Sequence, residues 1–311
     1  MKLKKPSFWD YKKPNLISYL LLPLTLPIIF NNSLHKRNIK ETKNIKKICV
    51  GNIYVGGTGK TPLSIKLSQI ITNLNYKTAI IKKFYKDQID EQKLLEKKQK
   101  LYCFNERKKS LDAAIKDDVE VSIFDDGLQD KTINYDLQFV CFNIEKFIGN
   151  GFLIPAGPLR EKINSIYKYD AIFLNGNEED TTEKIKLIKK YNQNIKIFET
   201  YYNAININTL DLNSKYLIFS GIGNPDSFKQ TLIKNKINIV KEIIFPDHYH
   251  YTPKNIKHIK LLAKNFDAKI LTTEKDYLRI NDKISSGIDF LQIEIIIKNE
   301  DDLIRFIKTR L

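Results

Sequence analysis

The sequence predicts an α/β protein with two domains: a larger one over residues 1–200, built on a mainly parallel sheet, and a smaller one over residues 201–311. Three observations predict it. Short apolar runs alternate with helix-length amphipathic segments through most of the chain. A glycine-rich stretch stands between the first such run and the first long helix. The alternation restarts after the polar stretch "TYYNAININTLDLNS", which can cross between domains. With 311 residues, 42% of them hydrophobic, the chain can bury two ordinary cores and is no disordered tail.

The first apolar segment, "LISYLLLPLTLPIIF" over 16–30, falls short of the roughly 20 residues a spanning helix needs, and Pro23 and Pro27 are expected to kink it. His35, Lys36, Arg37 and Lys40 follow it in place of a small-residue cleavage site. A short apolar stretch flanked by basic residues suits a segment lying in the interface of an anionic bilayer; the alternative is a buried N-terminal helix. Strands are then expected at 46–50, 76–82, 119–124, 137–142 and 171–174. Between the first two, a helix over 62–73 places Leu63, Leu67, Ile70 and Ile71 on one stripe. In the second domain the apolar runs are "YLIFS", "INIVKEIIF", "AKILTT" and "FLQIEIII", with a helix over 253–265 between them.

Net charge is +16, from 52 Lys+Arg against 36 Asp+Glu, which favours anionic partners without choosing among them. Much of the lysine comes with Asn and Ile, as in "KNIKKI", and reads as compositional bias. No aromatic-basic motif lies on a defined sheet, so nucleic acid is not an expected partner. Cys49, Cys103 and Cys141 are widely spaced in or beside apolar stretches, which indicates neither a disulfide framework nor a thiolate metal site and fits a reducing cytosol.

Five stretches carry chemistry. In "VGNIYVGGTGKTP" the end of a P-loop is present, although Tyr54 stands where the strict pattern has its first glycine. Tyr54, Val55, Gly56, Gly57, Thr58, Gly59, Lys60 and Thr61 form the expected phosphate cradle. Its glycines let successive N–H groups turn to an anion, Lys60 adds a cation at the β/γ-phosphates, and the Thr61 hydroxyl can ligate Mg²⁺. In "VEVSIFDDGLQD" Asp125 and Asp126 end an apolar strand, where a carboxylate can hold Mg²⁺ directly or through water. In "IGNGFLIPAGPLREK" Arg160 can neutralise phosphate charge and Glu161 can join the metal site, though the loop alone reads as a surface salt bridge.

In "FPDHYHYTP" Asp247 can orient His248 for proton transfer, or His248 and His250 can be metal ligands; zinc needs a further ligand, and none is evident. In "KDQIDEQKLL" Asp90 and Glu91 stand on an expected loop, where paired carboxylates are ordinarily solvated. Asp90 matters only if the fold brings it to the phosphates. "TTEKDYLRI" lacks the Asn-Lys-x-Asp order, so guanine specificity is not expected.

Together and in this order, "VGNIYVGGTGKTP", "IFDDGLQD", "GNGFLIPAGPLRE", "FSGIGNPDSF", "FPDHYHYT" and "TTEKDYLRI" resemble the lipid A 4'-kinase family, tetraacyldisaccharide 4'-kinase. The resemblance runs from near Trp9 almost to the C-terminus, and the offset glycines and Tyr54 belong to the family's pattern. It implies a P-loop NTPase fold and a kinase that moves the γ-phosphoryl group of ATP, with Mg²⁺, onto the 4'-hydroxyl of tetraacyldisaccharide 1-phosphate, the lipid A precursor. It further implies peripheral or monotopic attachment at the cytoplasmic face of the bacterial inner membrane. Lys60 and Thr61 then serve phosphates and metal, and Asp125 and Asp126 are the Walker B carboxylates with Glu161 near the metal. The resemblance also implies that Asp90 is the base and His248 its partner from the second domain, so that the base would be complete only when that domain closes over the site.

Three positions depart from the pattern. Lys82-Lys83-Phe84-Tyr85 replaces Ser-Arg-Gly-Tyr, Asp130 replaces a histidine, and Ile89 replaces the glycine before Asp90. Lys83 and Tyr85, with Arg160, are the residues expected to meet substrate; Lys83 keeps arginine's charge without its fork. A reading from another class is a membrane-associated nucleotide-switch ATPase. It accounts for the P-loop, the paired aspartates and the anchor, but not for the "PAGPLR" loop or for Asp247 and His248.

Overall fold

Parallel strands covered on both faces are buried along almost their whole length, and the central strands of the larger sheet follow that rule while its edge strands do not. In the computed structural model, which describes residues 5–33, 45–176 and 180–311, the sheet is built from eight strands. They are β1 (Lys46–Gly51), β2 (Thr78–Lys83), β3 (Leu101–Phe104), β4 (Val121–Asp125), β5 (Leu137–Asn143), β6 (Ala171–Asn175), β7 (Lys196–Ala204) and, much later, the strand Ile293–Ile297. Every residue of β4 and β6 is buried. The order is Ile293–Ile297, β7, β6, β5, β1, β4, β2, β3. β1 runs parallel to both β4 and β5, with Ile48 beside Ile123 on one side and Leu137 on the other. The chain therefore leaves β1 toward one half of the sheet and later crosses to the other, and the carboxyl end of β1 is the switch point where such sheets bind ligands.

The chain divides into two compact units. One comprises the chain up to Lys83 with Tyr102–Tyr201 and Ile297–Leu311; the other comprises Phe84–Leu101 and Tyr202–Ile296. Phe84–Leu101, which carries Asp90, thus goes with the C-terminal unit. The helices of the first unit are α1 (Leu16–Leu20), α2 (Leu26–Ser33), α3 (Lys60–Asn73), α5 (Arg107–Lys116), α6 (Thr182–Tyr191) and α10 (Glu300–Lys308); α4 (Ile89–Lys98) belongs to the second. Leu63, Leu67, Ile70 and Ile71 of α3 are all buried, as their stripe predicts.

In the second unit β8 (Lys215–Ser220), β9 (Asn238–Ile244), β10 (Lys269–Thr273) and β11 (Ile288–Leu291) form a parallel sheet in the order β11-β10-β8-β9; the strand Ile293–Ile297 is β12. Its helices are α7 (Pro225–Lys234), α8 (Pro253–Asn265) and the single turn α9 (Glu274–Tyr277), besides α4. The two-residue period of β8 makes two cores. Tyr216 and Ile218 pack with Phe228 and Leu232 of α7, while Leu217 and Phe219 pack with Ile256, Ile259 and Ala263 of α8.

The apolar N-terminal segment is three short pieces, α1, a 3₁₀ turn over Leu22–Thr25 and α2, in place of one kinked helix. Pro23 and Pro27 each stand in a first turn, where the missing N–H costs nothing. Leu16, Leu20 and Phe30 are 75%, 70% and 69% exposed, so this is no buried helix. Among the described residues no helix is long and apolar enough to cross a membrane. The segment is tied down through its polar groups. Trp9 Nε1 donates to the Pro155 carbonyl at 3.0 Å, and Asn150 Nδ2 donates to Ser18 Oγ at 3.0 Å and to the Ala156 carbonyl at 3.0 Å. His35, Lys36, Arg37 and Lys40 lie outside the described residues.

Candidate active site

At the carboxyl end of β1 the chain turns into α3 through the glycine-rich loop. Gly56 and Gly59 adopt φ of 134° and 88°, where a side chain is strained, and Gly59 is the residue from which α3 starts. The loop is held from inside by Asn52, whose Nδ2 donates to the Tyr54 carbonyl at 2.5 Å and to Thr58 Oγ1 at 3.2 Å. The first-turn N–H groups of α3 open onto this loop, and the positive end of the helix dipole favours an anion there.

Tyr54 is 1% exposed and packs with Leu153 and Leu159, while its hydroxyl meets Asp10 and Lys5. The non-glycine at this position thus fastens the N-terminal segment to the loop. The Gly-Pro loop of the third motif is stitched to the same strand end, since the Arg160 N–H donates to the Ile53 carbonyl at 2.7 Å and the Val55 N–H to the Pro158 carbonyl at 2.9 Å.

The charged groups converge on Asp125 and Asp126. Asp125 is the last residue of β4 and fully buried; its Oδ2 accepts from Thr61 Oγ1 at 3.1 Å and from Lys82 Nζ at 2.8 Å. Asp126, at φ 59°, lies 3.6 Å from Lys60 Nζ and accepts from Arg160 Nη1 at 3.1 Å. Burial pushes the Asp126 carboxyl up, but Lys60, Arg160, Lys82 and Arg107 outweigh it and hold it at about 2. Sequence reasoning missed Arg107 of α5, which donates to the Asp126 carbonyl at 2.5 Å and to Asp130 Oδ2 at 3.2 Å. Asp130, in place of the family's histidine, therefore anchors an arginine behind the aspartate pair.

Glu161 accepts from Tyr169 OH at 2.8 Å and Gln129 Nε2 at 3.1 Å, and Gln129 Oε1 in turn accepts from Arg160. Among the described residues no three His, Cys, Asp or Glu side chains gather as a ready metal cluster. The hydroxyl and carboxylate oxygens of Thr61 and Asp125 are hard donors side by side, which suits Mg²⁺, an ion that takes one or two carboxylates and fills the rest of its shell with phosphate and water.

The second unit holds its own constellation at the carboxyl ends of β8 and β10. Asp90 is not on a loop but in the first turn of α4, whose Leu94 and Leu95 are buried one turn on. Its Oδ1 lies 3.1 Å from His248 Nδ1, and its Oδ2 accepts from Arg279 Nη2 at 2.7 Å. Arg279 Nη1 also donates to Asp276 Oδ1 at 2.8 Å and to the Gly221 carbonyl at 2.7 Å, and Asp276 Oδ1 accepts from Tyr251 OH at 2.7 Å. Gly221 fits tightly here, because a Cβ would stand 3.0 Å from the Pro246 carbonyl oxygen and from Tyr251 OH. Burial pushes the Asp90 carboxyl up, but the hydrogen bond with His248 and the Arg279 guanidinium outweigh it, and it settles at about 2.

Two expectations are corrected here. Asp247 does not orient the imidazole: its Oδ1 is 3.8 Å from His248 Nε2 and instead accepts the His248 backbone N–H at 3.0 Å. His248, at φ 54°, turns its ring to Asp90. Nor do Asp90 and His248 come from different domains, since both belong to the second unit. His250 is exposed and joins no metal cluster among the described residues. Lys83 ends β2 in the first unit, and Tyr85, 38% exposed, lies in the second.

A family model described as Tetraacyldisaccharide-1-P 4'-kinase matches residues 17–101 and 86–311. The tetraacyldisaccharide 4'-kinase of Pelagibacter ubique is 47% identical over 303 residues, covering 97% of this chain and 96% of that one. That of Rickettsia bellii is 33% identical over 317 residues, covering 96% of each. Among solved structures, LpxK from Aquifex aeolicus, crystallised in complex with ATP, aligns with a TM-score of 0.70 at 23% identity, over 94% of this chain and 99% of that one, which shows the shared P-loop α/β fold. With its P-loop, paired aspartates and match over nearly the whole length, the chain belongs to the tetraacyldisaccharide-1-P 4'-kinase family and is a phosphotransferase with an alcohol acceptor.

Proposed function

We propose that this kinase takes the γ-phosphoryl group of ATP and delivers it to the 4'-hydroxyl of tetraacyldisaccharide 1-phosphate at the cytoplasmic face of the inner membrane. The observation that carries the reading is the pair formed by buried Asp90 and half-buried His248. A sugar hydroxyl is a poor nucleophile at neutral pH and needs a positioned base, whereas a nucleotide switch needs none. In this reading the hydroxyl proton passes to the pair, with Asp90 kept ionised by Arg279.

On the nucleotide side the loop Tyr54–Thr61 cradles the phosphates and Lys60 and Arg160 take up charge on the moving phosphoryl group. Thr61 with Asp125 and Asp126, and Glu161 behind them, would hold Mg²⁺, which would supply positive charge against the nucleotide phosphates. Lys83 and Tyr85 contact the acceptor. The second unit closes over the bound substrates, and water is thereby kept from the γ-phosphate. The exposed side chains of Leu16, Leu20 and Phe30 rest in the lipid interface, and the basic balance of the chain adds attraction to anionic headgroups.

The reading is tested by phosphorus NMR of the lipid recovered after incubation with ATP and Mg²⁺. A new phosphomonoester on the 4' oxygen is expected; a lipid unchanged beside accumulating inorganic phosphate would favour the switch ATPase.

A further inference from the structure

Lys82 is the second residue from the first unit that sequence patterns left without a role. It is the last residue but one of β2, before Lys83. β2 and β4 are parallel neighbours with Ile81 beside Phe124, so the next residues along, Lys82 and Asp125, face each other across the strands. Lys82 Nζ lies 2.8 Å from Asp125 Oδ2, and the two side chains are 3% and 0% exposed. That same oxygen accepts from Thr61 Oγ1 at 3.1 Å. A buried carboxylate requires a partner, and the position admits two kinds: a metal ion with its waters, or a fixed ammonium.

We infer that Lys82 is a built-in cation of the nucleotide site, which holds Asp125 against Thr61 and lends positive charge to the phosphates before any metal arrives. This rests on the ATP and Mg²⁺ site proposed above. A serine at this position carries no charge and lacks the reach. The consequence follows from Coulomb's law in a water-poor site, where a fixed cation attracts phosphate and repels a divalent metal. ATP binding to this chain is therefore less dependent on Mg²⁺ than binding to its serine variant, and a higher Mg²⁺ concentration is needed to saturate the metal position.

The test is calorimetric titration of the full chain with ATP, once in EDTA and once across a range of Mg²⁺, for the parent, Lys82→Ser and Lys82→Arg, each checked by thermal melting. Lys82→Ser leaves Asp125 the hydroxyls of Thr61 and Ser64 as partners, and the melting curve reads whether they suffice to keep the chain folded. The serine variant's metal-free ATP affinity should fall about tenfold, and its Mg²⁺ concentration for half-maximal nucleotide binding should fall by about the same factor. Lys82→Arg, which keeps the charge, should stay near the parent. A serine variant with the parent's Mg²⁺ dependence, or an arginine variant that behaves like the serine one, overturns the inference. A parent that binds no ATP even with Mg²⁺ overturns the proposed site itself.

Discussion

Asp90 Oδ1 lies 3.1 Å from His248 Nδ1, although 158 positions separate the two residues in the chain. The contact exists because Phe84–Leu101 leaves the first unit and joins the second, which sets the first turn of α4 beside the loop after β9. Arg279 completes it from the other side, so Asp90 is held by both of its oxygens. The pair is thus assembled within one unit, and no domain movement is needed to form it.

Removing either member should cost turnover and little else. Asp90→Asn and His248→Gln are each expected to lower kcat by about 10²–10⁴, with ATP affinity unchanged within a few-fold. Because the two act as one group, the double variant should be scarcely worse than the poorer single one. Steady-state kinetics and calorimetry check this, and full turnover in either single variant removes that residue from the chemistry.

The Asp90 carboxyl, at about 2, lies below its unfolded value of about 4, so the ionised form is favoured by folding. Its contribution to stability is complete above about pH 4 and is lost as pH falls from there toward about 2. Urea midpoints of the parent and Asp90→Asn should therefore differ by a constant amount from neutrality down to about pH 5 and converge below about pH 4. A difference that fades already between pH 7 and pH 5 would contradict the Arg279 and His248 clamp.

Tyr54→Gly, which restores the strict P-loop pattern, should not improve ATP binding. Tyr54 is 1% exposed and packs with Leu153 and Leu159, so its loss leaves a cavity and should destabilise by about 3–5 kcal/mol. Tyr54→Phe removes only the hydroxyl contacts with Asp10 and Lys5 and should cost about 1 kcal/mol. Chemical denaturation with ATP titration separates the two effects.

Replacing Leu16, Leu20 and Phe30 together by serine should release the protein from anionic vesicles by at least about tenfold in partitioning, because three exposed apolar side chains no longer enter the interface. The polar ties from Trp9 and Ser18 to the 150–156 loop remain, so ATP binding should persist. Undiminished sedimentation with vesicles would place the attachment on another surface.

The strand, glycine-rich turn and helix around Gly56–Thr61 were legible in the sequence because their signal is local: a buried strand, two glycines that need positive φ, and a helix with one apolar stripe stand in immediate succession. Asp125 and Asp126 were legible for the same reason, at the end of a run that is wholly buried. What was not legible depends on partners far away in sequence. Asp90 opens a helix whose apolar positions are few, so its segment read as a loop. Arg279, Arg107 and Lys82 are ordinary basic residues in a lysine-rich chain until the fold brings carboxylates to them. The short strand β3 was also missed, since only one of its four residues is buried. The orientation of His248 was misread because the neighbouring Asp247 is adjacent in sequence while the imidazole turns the other way.

Delivery of the γ-phosphoryl group to a sugar hydroxyl is what separates a kinase from a switch ATPase. The most direct measurement is transfer of label from γ-labelled ATP to tetraacyldisaccharide 1-phosphate in mixed micelles, with the purified full chain and Mg²⁺. Label in the lipid, dependent on Lys60 and lost in Asp90→Asn, is the predicted result. Label released only as free phosphate, at the same rate with and without the lipid, would contradict it.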